Sequence, residues 1–175
     1  LGADSVVSDD AEVLKSADKV IFPGVGEAST AMEYLRERNL DKVIKSLTQP
    51  VLGICLGMQL LCEYSEENDT KCLGLLPYKV KRFESDILKV PHMGWNSAEV
   101  NKESLLFKDA IKEAMYYFVH SYHIKCNKPE DVLTTTKYEY DFTSSIQKDN
   151  IYGTQFHPEK SHDWGELLYK NFANI

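Results

Sequence analysis

No Lys/Arg-rich block occurs anywhere in the sequence, and acidic residues outnumber basic ones by 27 to 20, for a net charge of −7. Nucleic acid and anionic membrane surfaces are therefore poor partners for this chain. No apolar stretch approaches the length needed to cross a bilayer, and no signal-peptide pattern is visible. No Cys-x-x-Cys pair is present among the four cysteines, Cys55, Cys62, Cys72 and Cys126. A disulfide framework would be unusual at this length, so a reduced, cytoplasmic setting is expected. Internal repeats, long linkers and a Gly-x-Gly-x-x-Gly fingerprint are all missing, which argues against a bound NAD. What remains is 175 residues with 43% apolar and 27% charged side chains, enough for a single α/β domain over 1–175 with a substantial core.

The chain is organised around Gln49-Pro50-Val51-Leu52-Gly53-Ile54-Cys55-Leu56-Gly57-Met58-Gln59-Leu60-Leu61. An apolar run behind a proline, too short for a typical helix, reads as a strand. The period then changes, with Leu56, Gln59, Leu60 and Cys62 at helical spacing. Cys55 sits at the switch, with Gly53 and Gly57 two residues to either side. This is the Gly-x-nucleophile-x-Gly pattern of a nucleophile elbow, with sulfur in place of a serine oxygen. A helix starting after the cysteine offers unpaired N–H groups and positive dipole charge, which favour the thiolate. The N–H of Leu56 then points where an oxyanion would form. A buried cysteine in a tight strand–helix turn fits the same stretch.

Earlier in the chain, Ser5–Ser8 is a short strand candidate, followed by a brief helix from Asp9–Asp10. Lys19–Phe22 is a better strand, leading into Pro23-Gly24-Val25-Gly26. Two glycines around one apolar residue let a backbone approach a ligand closely, or make a plain loop. Helices are expected over Glu27–Arg38, with Ala28, Met32 and Leu35 on the core face, and over Asp41–Leu47. The helix after Cys55 is expected to reach about Tyr64, leaving Cys62 two turns on as buried filler. Ser65–Asp69 reads as an acidic turn and Tyr78–Phe83 as a strand. Val90–Asn96, rich in breakers, reads as an ordered loop, with Trp95 either core or an exposed contact. Ser104–Phe107 reads as a helical turn. The aromatic run Met115–Ile124 is expected to be one strand, which would point His120 and His123 to opposite faces and make them a poor metal pair. Val132–Tyr138, Phe142–Gln147 and Ile151–Phe156 complete the strands, and Asp163–Ala173 is a terminal helix. Early strand–helix alternation followed by many strands predicts a parallel sheet with an antiparallel extension.

A cysteine nucleophile needs a base, and the base needs an orienting partner. The best candidate is Gln155-Phe156-His157-Pro158-Glu159-Lys160-Ser161. His157 leaves a strand end, and Pro158 holds it extended, so His157 and Glu159 project in similar directions. A carboxylate beside the imidazole fixes its tautomer and stabilises the imidazolium.

Gly53-Ile54-Cys55-Leu56-Gly57-Met58-Gln59 together with His157-Pro158-Glu159 resembles a class I (triad) glutamine amidotransferase. Pro23–Gly26, His92–Asn96, Tyr117–Tyr122 and Phe156–Ser161 narrow the resemblance to the glutaminase-subunit family of imidazole glycerol phosphate synthase, over nearly the whole chain. The resemblance implies an open, mixed, mostly parallel sheet with flanking helices around a flavodoxin-like core. It implies that Cys55 attacks the amide of glutamine, His157 moves the proton and Glu159 orients His157. It assigns the oxyanion hole to Leu56 and the Gly24–Val25 peptide, and glutamine binding to Gly26, Gly57, Gln59, Glu67 and Ser121. It implies a heterodimer with a (β/α)8-barrel synthase subunit, docked on Trp95, Tyr117 and Lys160, with no cofactor and no metal. The family's first strand and helix, about 20–25 residues judged from typical element lengths, have no counterpart here. The competing readings are a glutaminase subunit for another acceptor, in pyridoxal phosphate or anthranilate synthesis, or a DJ-1/PfpI-like cysteine protein.

Overall fold

The apolar run behind Pro50 becomes an inner strand of a ten-stranded sheet in the computed structural model, which describes residues 2–175. In chain order the elements are α1 (Ala11–Ser16), β1 (Val20–Gly24), α2 (Ala28–Glu37), α3 (Leu40–Ser46), β2 (Val51–Cys55), α4 (Leu56–Leu60), β3 (Cys62–Ser65), β4 (Thr70–Lys71) and β5 (Leu76–Arg82). There follow β6 (His92–Ser97), β7 (Glu99–Val100), β8 (Met115–His120), β9 (Tyr122–Lys125), β10 (Val132–Tyr138), β11 (Tyr140–Lys148), β12 (Ile151–Thr154) and α5 (His162–Ala173). Single 3-10 turns sit at Glu67–Asp69, Leu105–Phe107, Pro129–Asp131 and Pro158–Lys160.

The main sheet runs β1-β2-β12-β11-β9-β5-β3-β4, with β10 bonded to β11 and to β7. The expected mixed, open sheet with flanking helices is present, but it is not mostly parallel, because the later strands return in hairpins and pair antiparallel. Among the described residues, parallel pairing is confined to β1–β2, β2–β12 and β3–β5, and the other ladders are antiparallel. β2 is buried along its whole length, as a strand flanked on both edges and covered on both faces must be. Val51 joins a core with Met32, Leu35, Ile44 and Leu60, beneath α2, α3 and α4. Leu52 and Ile54 join a second core with Tyr116, Phe118, Phe156, Leu168 and Phe172, against α5. Pro23 sits in β1, whose single ladder among the described residues is with β2, so its missing N–H costs no sheet bond on the other side.

The structure corrects four local expectations. Ser5–Ser8 is not a strand: it has no ladder partner among the described residues, and Val6 and Val7 are exposed. The helix after Cys55 stops at Leu60 rather than near Tyr64, and Cys62 starts β3. The returning segment explains this, because the N–H groups of Leu73, Leu75 and Gly74 take the carbonyls of Leu60, Leu61 and Cys62. Cys62 is fully buried, as expected of filler. The breaker-rich Val90–Asn96 stretch is not a loop but leads into β6, paired with β8 from His92↔His120 to Ser97↔Met115. Gly94 accommodates a φ of 131° inside that strand.

The fourth correction concerns Met115–Ile124, which breaks at Ser121. Before the break β8 pairs with β6 in a separate two-stranded ribbon; after it β9 pairs with β5 and β11. His120 and His123 therefore do not face opposite ways. Both pack on Phe83, at 5.3 and 4.5 Å between ring centroids, and on Phe142. His92 joins them, stacked on Tyr138 at 3.9 Å and on Phe118 at 4.7 Å. The Tyr122 carbonyl can only accept, so His120 Nδ1 carries a proton and donates to it at 2.7 Å. His120 Nε2 then accepts from His92 Nδ1 at 3.2 Å, and His92 Nε2 accepts from Asn96 Nδ2 at 3.3 Å. Every ring is satisfied as a neutral imidazole. Burial lowers His92 from 6.5 to about 4 and His120 from 6.5 to about 3.

A depressed histidine binds its proton in the unfolded chain at about pH 6.5 but not in the folded one, so the stabilisation is present above that value and lost as pH falls. Thermal melting is expected to drop between pH 7 and pH 5, with a slope approaching about 1.4 kcal/mol per pH unit for each such histidine. His120→Asn, less stable at pH 7, should lose less over the same window; a flat profile for the unmodified protein would contradict this account.

Candidate active site

Parallel pairing of β2 with β12 runs from Val51↔Ile151 to Ile54↔Thr154. One residue further, Cys55 and Gln155 leave the two strands side by side, and His157 lies two residues beyond. β1 ends on the other flank, with Gly24 opposite Cys55. Three separate stretches of sequence are thus delivered to one end of the sheet by ladder register alone.

Cys55 has φ 51° and ψ −111°, a turn that a non-glycine residue rarely adopts, and it caps the start of α4. The turn is held by close backbone packing. A Cβ on Gly57 would fall 1.9 Å from the Phe22 carbonyl oxygen, and one on Gly24 would fall 2.6 Å from the Gly57 nitrogen. The start of α4 therefore lies directly against the end of β1, which is where the expected oxyanion peptide Gly24–Val25 sits. Val25 is exposed, and Gly26 has a φ of 95° with open space around it.

The sulfur is 7% exposed with its residue. Burial pushes the thiol up to about 11, while the Leu56 backbone N–H and the Gln155 side chain pull it back. Gln155 Nε2 lies 3.7 Å from Sγ, and the Val119 carbonyl oxygen accepts at a long 4.0 Å. Among the described residues the His157 imidazole is not a hydrogen-bond partner of the sulfur. Catalytic hydrogen bonds are commonly long before a substrate arrives.

His157 is buried, and its Nδ1 is 2.6 Å from Glu159 Oε1. The carboxylate can only accept, so Nδ1 donates and Nε2 is left as the base. Glu159 is half-exposed, and its other oxygen accepts from Tyr169 at 3.5 Å. The His157 backbone is fixed from three sides. Its N–H donates to the Tyr117 carbonyl at 2.8 Å, and its carbonyl accepts from Lys160 N–H at 3.0 Å and Ser161 Oγ at 2.6 Å. Ser161 Oγ also accepts from Tyr117 N–H at 3.0 Å. Gly165 lets α5 seat on this turn, since a Cβ there would meet the Pro158 oxygen at 1.8 Å.

The remaining expected residues fall around this centre. Glu67 accepts from Ala28 N–H at 2.8 Å, which sets its carboxylate at the N-terminus of α2, just past Gly26. Ser121 is at the break two residues after Val119, whose carbonyl approaches the sulfur. Gln59 is buried and donates to the Tyr122 carbonyl and to Gln155 Oε1, both at 2.9 Å. Trp95 is 45% exposed, stacks on His162 with centroids 5.1 Å apart and meets Tyr117 edge-on at 5.9 Å. Lys160 Nζ lies 5.7 Å from the Tyr117 ring. Trp95, Tyr117 and Lys160 thus form one outward cluster, beside exposed Met93 and half-exposed Met115.

Sequence reasoning passed over Gln155 and Ser161. Gln155 directly follows β12 and Ser161 directly precedes α5, and both are fully buried in the structure. The signal was there in Thr154-Gln155-Phe156, where a long amide side chain falls between the end of a strand and a large apolar residue.

A cysteine elbow and a bonded histidine–carboxylate pair thus stand at the same end of an open mixed sheet. The model of the family described as glutamine amidotransferase class-I matches residues 4–174, and the chain belongs to that family. Within it, the chain is 51% identical to the imidazole glycerol phosphate synthase subunit HisH of Bacteroides fragilis, with 100% of this chain and 89% of that protein aligned. It is 46% identical to the subunit of the same name from Haemophilus influenzae, with 99% of this chain and 86% of that protein aligned. The fold is similar to a solved structure described as a glutamine amidotransferase, with a TM-score of 0.73 at 18% identity, covering 99% of this chain and 88% of that one.

The packing at the elbow generates a test. Gly57→Ala sets a new Cβ against backbone and should destabilise by about 3 kcal/mol or more. Gly153→Ala meets side chains of Met58 and Ile146 rather than backbone, and should cost less. Urea denaturation of both variants measures the difference; equal, small losses would contradict the packing argument.

Proposed function

We propose that the chain is the glutaminase subunit of an imidazole glycerol phosphate synthase, releasing ammonia from glutamine for a (β/α)8-barrel partner. The observation that supports the reading is the parallel β2–β12 ladder, which brings the Cys55 elbow and the segment leading to the bonded His157–Glu159 pair to the same end of the sheet. The names of the relatives at 51% and 46% identity supply the acceptor reaction.

In this reading Cys55 Sγ adds to the side-chain amide carbon of glutamine, and its proton passes to His157 Nε2. The developing oxyanion is met by the N–H of Leu56 and a peptide N–H of the Gly24–Val25 segment. His157 returns the proton to the leaving nitrogen, ammonia departs, and a glutamyl thioester remains. Water, deprotonated by His157, hydrolyses the thioester to glutamate and restores the thiol. Glu159 keeps Nδ1 protonated throughout and stabilises the imidazolium. Gly26, Gly57, Gln59, Glu67 and Ser121 hold glutamine: a carboxylate at Glu67 suits its ammonium, and a hydroxyl at Ser121 suits its carboxylate.

Ammonia released into neutral water would be protonated and lost as a nucleophile. Docking of the barrel on the Trp95, Tyr117 and Lys160 cluster, in a heterodimer, gives it an enclosed route to the reaction that makes imidazole glycerol phosphate and AICAR. The aromatic and methionine content of that face suits an interface. A reduced, cytoplasmic setting suits four free cysteines, and no cofactor or metal is called for.

Glutamate release by the complex with the barrel subunit should vanish in Cys55→Ala and fall by about 10²-fold or more in Glu159→Gln. Glutamate release that persists in Cys55→Ala would remove the assignment. Trp95→Ala should weaken partner binding by about tenfold or more, read by titration calorimetry; undiminished affinity would move the docking face elsewhere.

A further inference from the structure

Gln155 and Gln59 form a buried pair of amides whose orientations are not free. The Tyr122 carbonyl oxygen has no proton to give, so the Gln59 atom 2.9 Å from it must be Nε2. The second hydrogen of that nitrogen then points to Gln155, 2.9 Å away, and can be received only by Oε1. With its oxygen so committed, Gln155 must turn Nε2 toward Cys55 Sγ, at 3.7 Å. Gln155 is 0% exposed and Gln59 4% exposed, so no solvent molecule competes for these groups at the surface. A backbone carbonyl thus dictates, through two side chains, that the sulfur faces an N–H and not an amide oxygen.

We propose that Gln155 is a further catalytic residue, an N–H donor that stabilises the thiolate of Cys55, and that Gln59 is the positioning residue that sets its amide. The proposal rests on Cys55 being the nucleophile. An N–H at the sulfur favours the deprotonated form and opposes the burial that raises the thiol. The donor matters most before the substrate arrives, because the imidazole of His157 is not then bonded to the sulfur. When the proton leaves Cys55 for His157 Nε2, Gln155 keeps its own proton and remains a hydrogen-bond donor, and no other bond changes. The opposite amide orientation would aim an oxygen at the sulfur and raise the thiol further.

The test is the pH dependence of Cys55 alkylation by iodoacetamide, read on the Cys55 peptide by mass spectrometry in Cys55-competent, folded protein. Gln155→Met keeps the length of the side chain and removes the N–H. The alkylation midpoint should rise by about one pH unit, and the rate at pH 8 should fall by about tenfold. The deficit should shrink toward high pH, where the thiol ionises without help. A structural defect would depress the rate at every pH alike, and that result, or superimposable profiles, overturns the proposal. Gln59→Met leaves Gln155 intact but frees its amide to flip, so a smaller rise in the same direction is expected; no shift there removes the positioning role of Gln59. Since alkylation needs no glutamine turnover, an unchanged profile alongside Cys55-dependent glutamate release defeats this proposal alone. Glutamate release that survives Cys55→Ala defeats the proposed function instead.

Discussion

The hydrogen-bonded ladder between β2 and β12 is the constraint on which the site depends. Residues about a hundred positions apart meet because Ile54 pairs with Thr154, and everything C-terminal to that pair inherits the register. A slip of one residue would turn every side chain of β12 to the opposite face and separate Gln155 from the sulfur. The ladder is well protected against slippage. Val51, Leu52 and Ile54 are buried against two different cores, and Gly53 and Gly153 pair side by side where Met58 packs over them. The apolar interior therefore sets the positions of Cys55 and Gln155 as well as the stability.

Around that ladder the polar groups are arranged so that few are left to choose their own state. The Tyr122 carbonyl receives both His120 Nδ1–H and Gln59 Nε2–H. One chain of donors runs from Asn96 through His92 and His120; another runs from the same oxygen through Gln59 and Gln155 to the sulfur. Buried imidazoles and amides are tolerated because each finds a partner. Among the described residues only Asp41 Oδ1 is a buried side-chain atom with none. The cost is a dependence on neutral histidines, which ties the fold to pH values above their ordinary titration range.

Much of this was legible in the sequence where the determinants are local. The glycines around Cys55 marked a crowded turn, the stripe of Ala28, Met32 and Leu35 marked the buried face of α2, and Pro158 marked the projection shared by His157 and Glu159. What escaped was decided by distant partners. Pro91 and Gly94 look like breakers, yet β8 supplies a neighbour that makes a strand of His92–Ser97. The run Met115–Ile124 has uniform β propensity and nothing in its composition marks Ser121 as the point of transfer; the Phe83 N–H bonded to the Ser121 carbonyl does. The same transfer redirected His120 toward His123 and defeated the alternation argument. The helix after Cys55 was overestimated because the carbonyls at its end are claimed by Leu73–Leu75, which lie outside any local window.

Tyr117 faces two ways at once. Its ring lies at the surface between Trp95 and Lys160, while its carbonyl and amide grip the backbone of His157, directly and through Ser161. One hydrogen bond separates the peptide of Tyr117 from the peptide that carries the imidazole. The outward-facing cluster and the buried imidazole of His157 are thus held by the same residue.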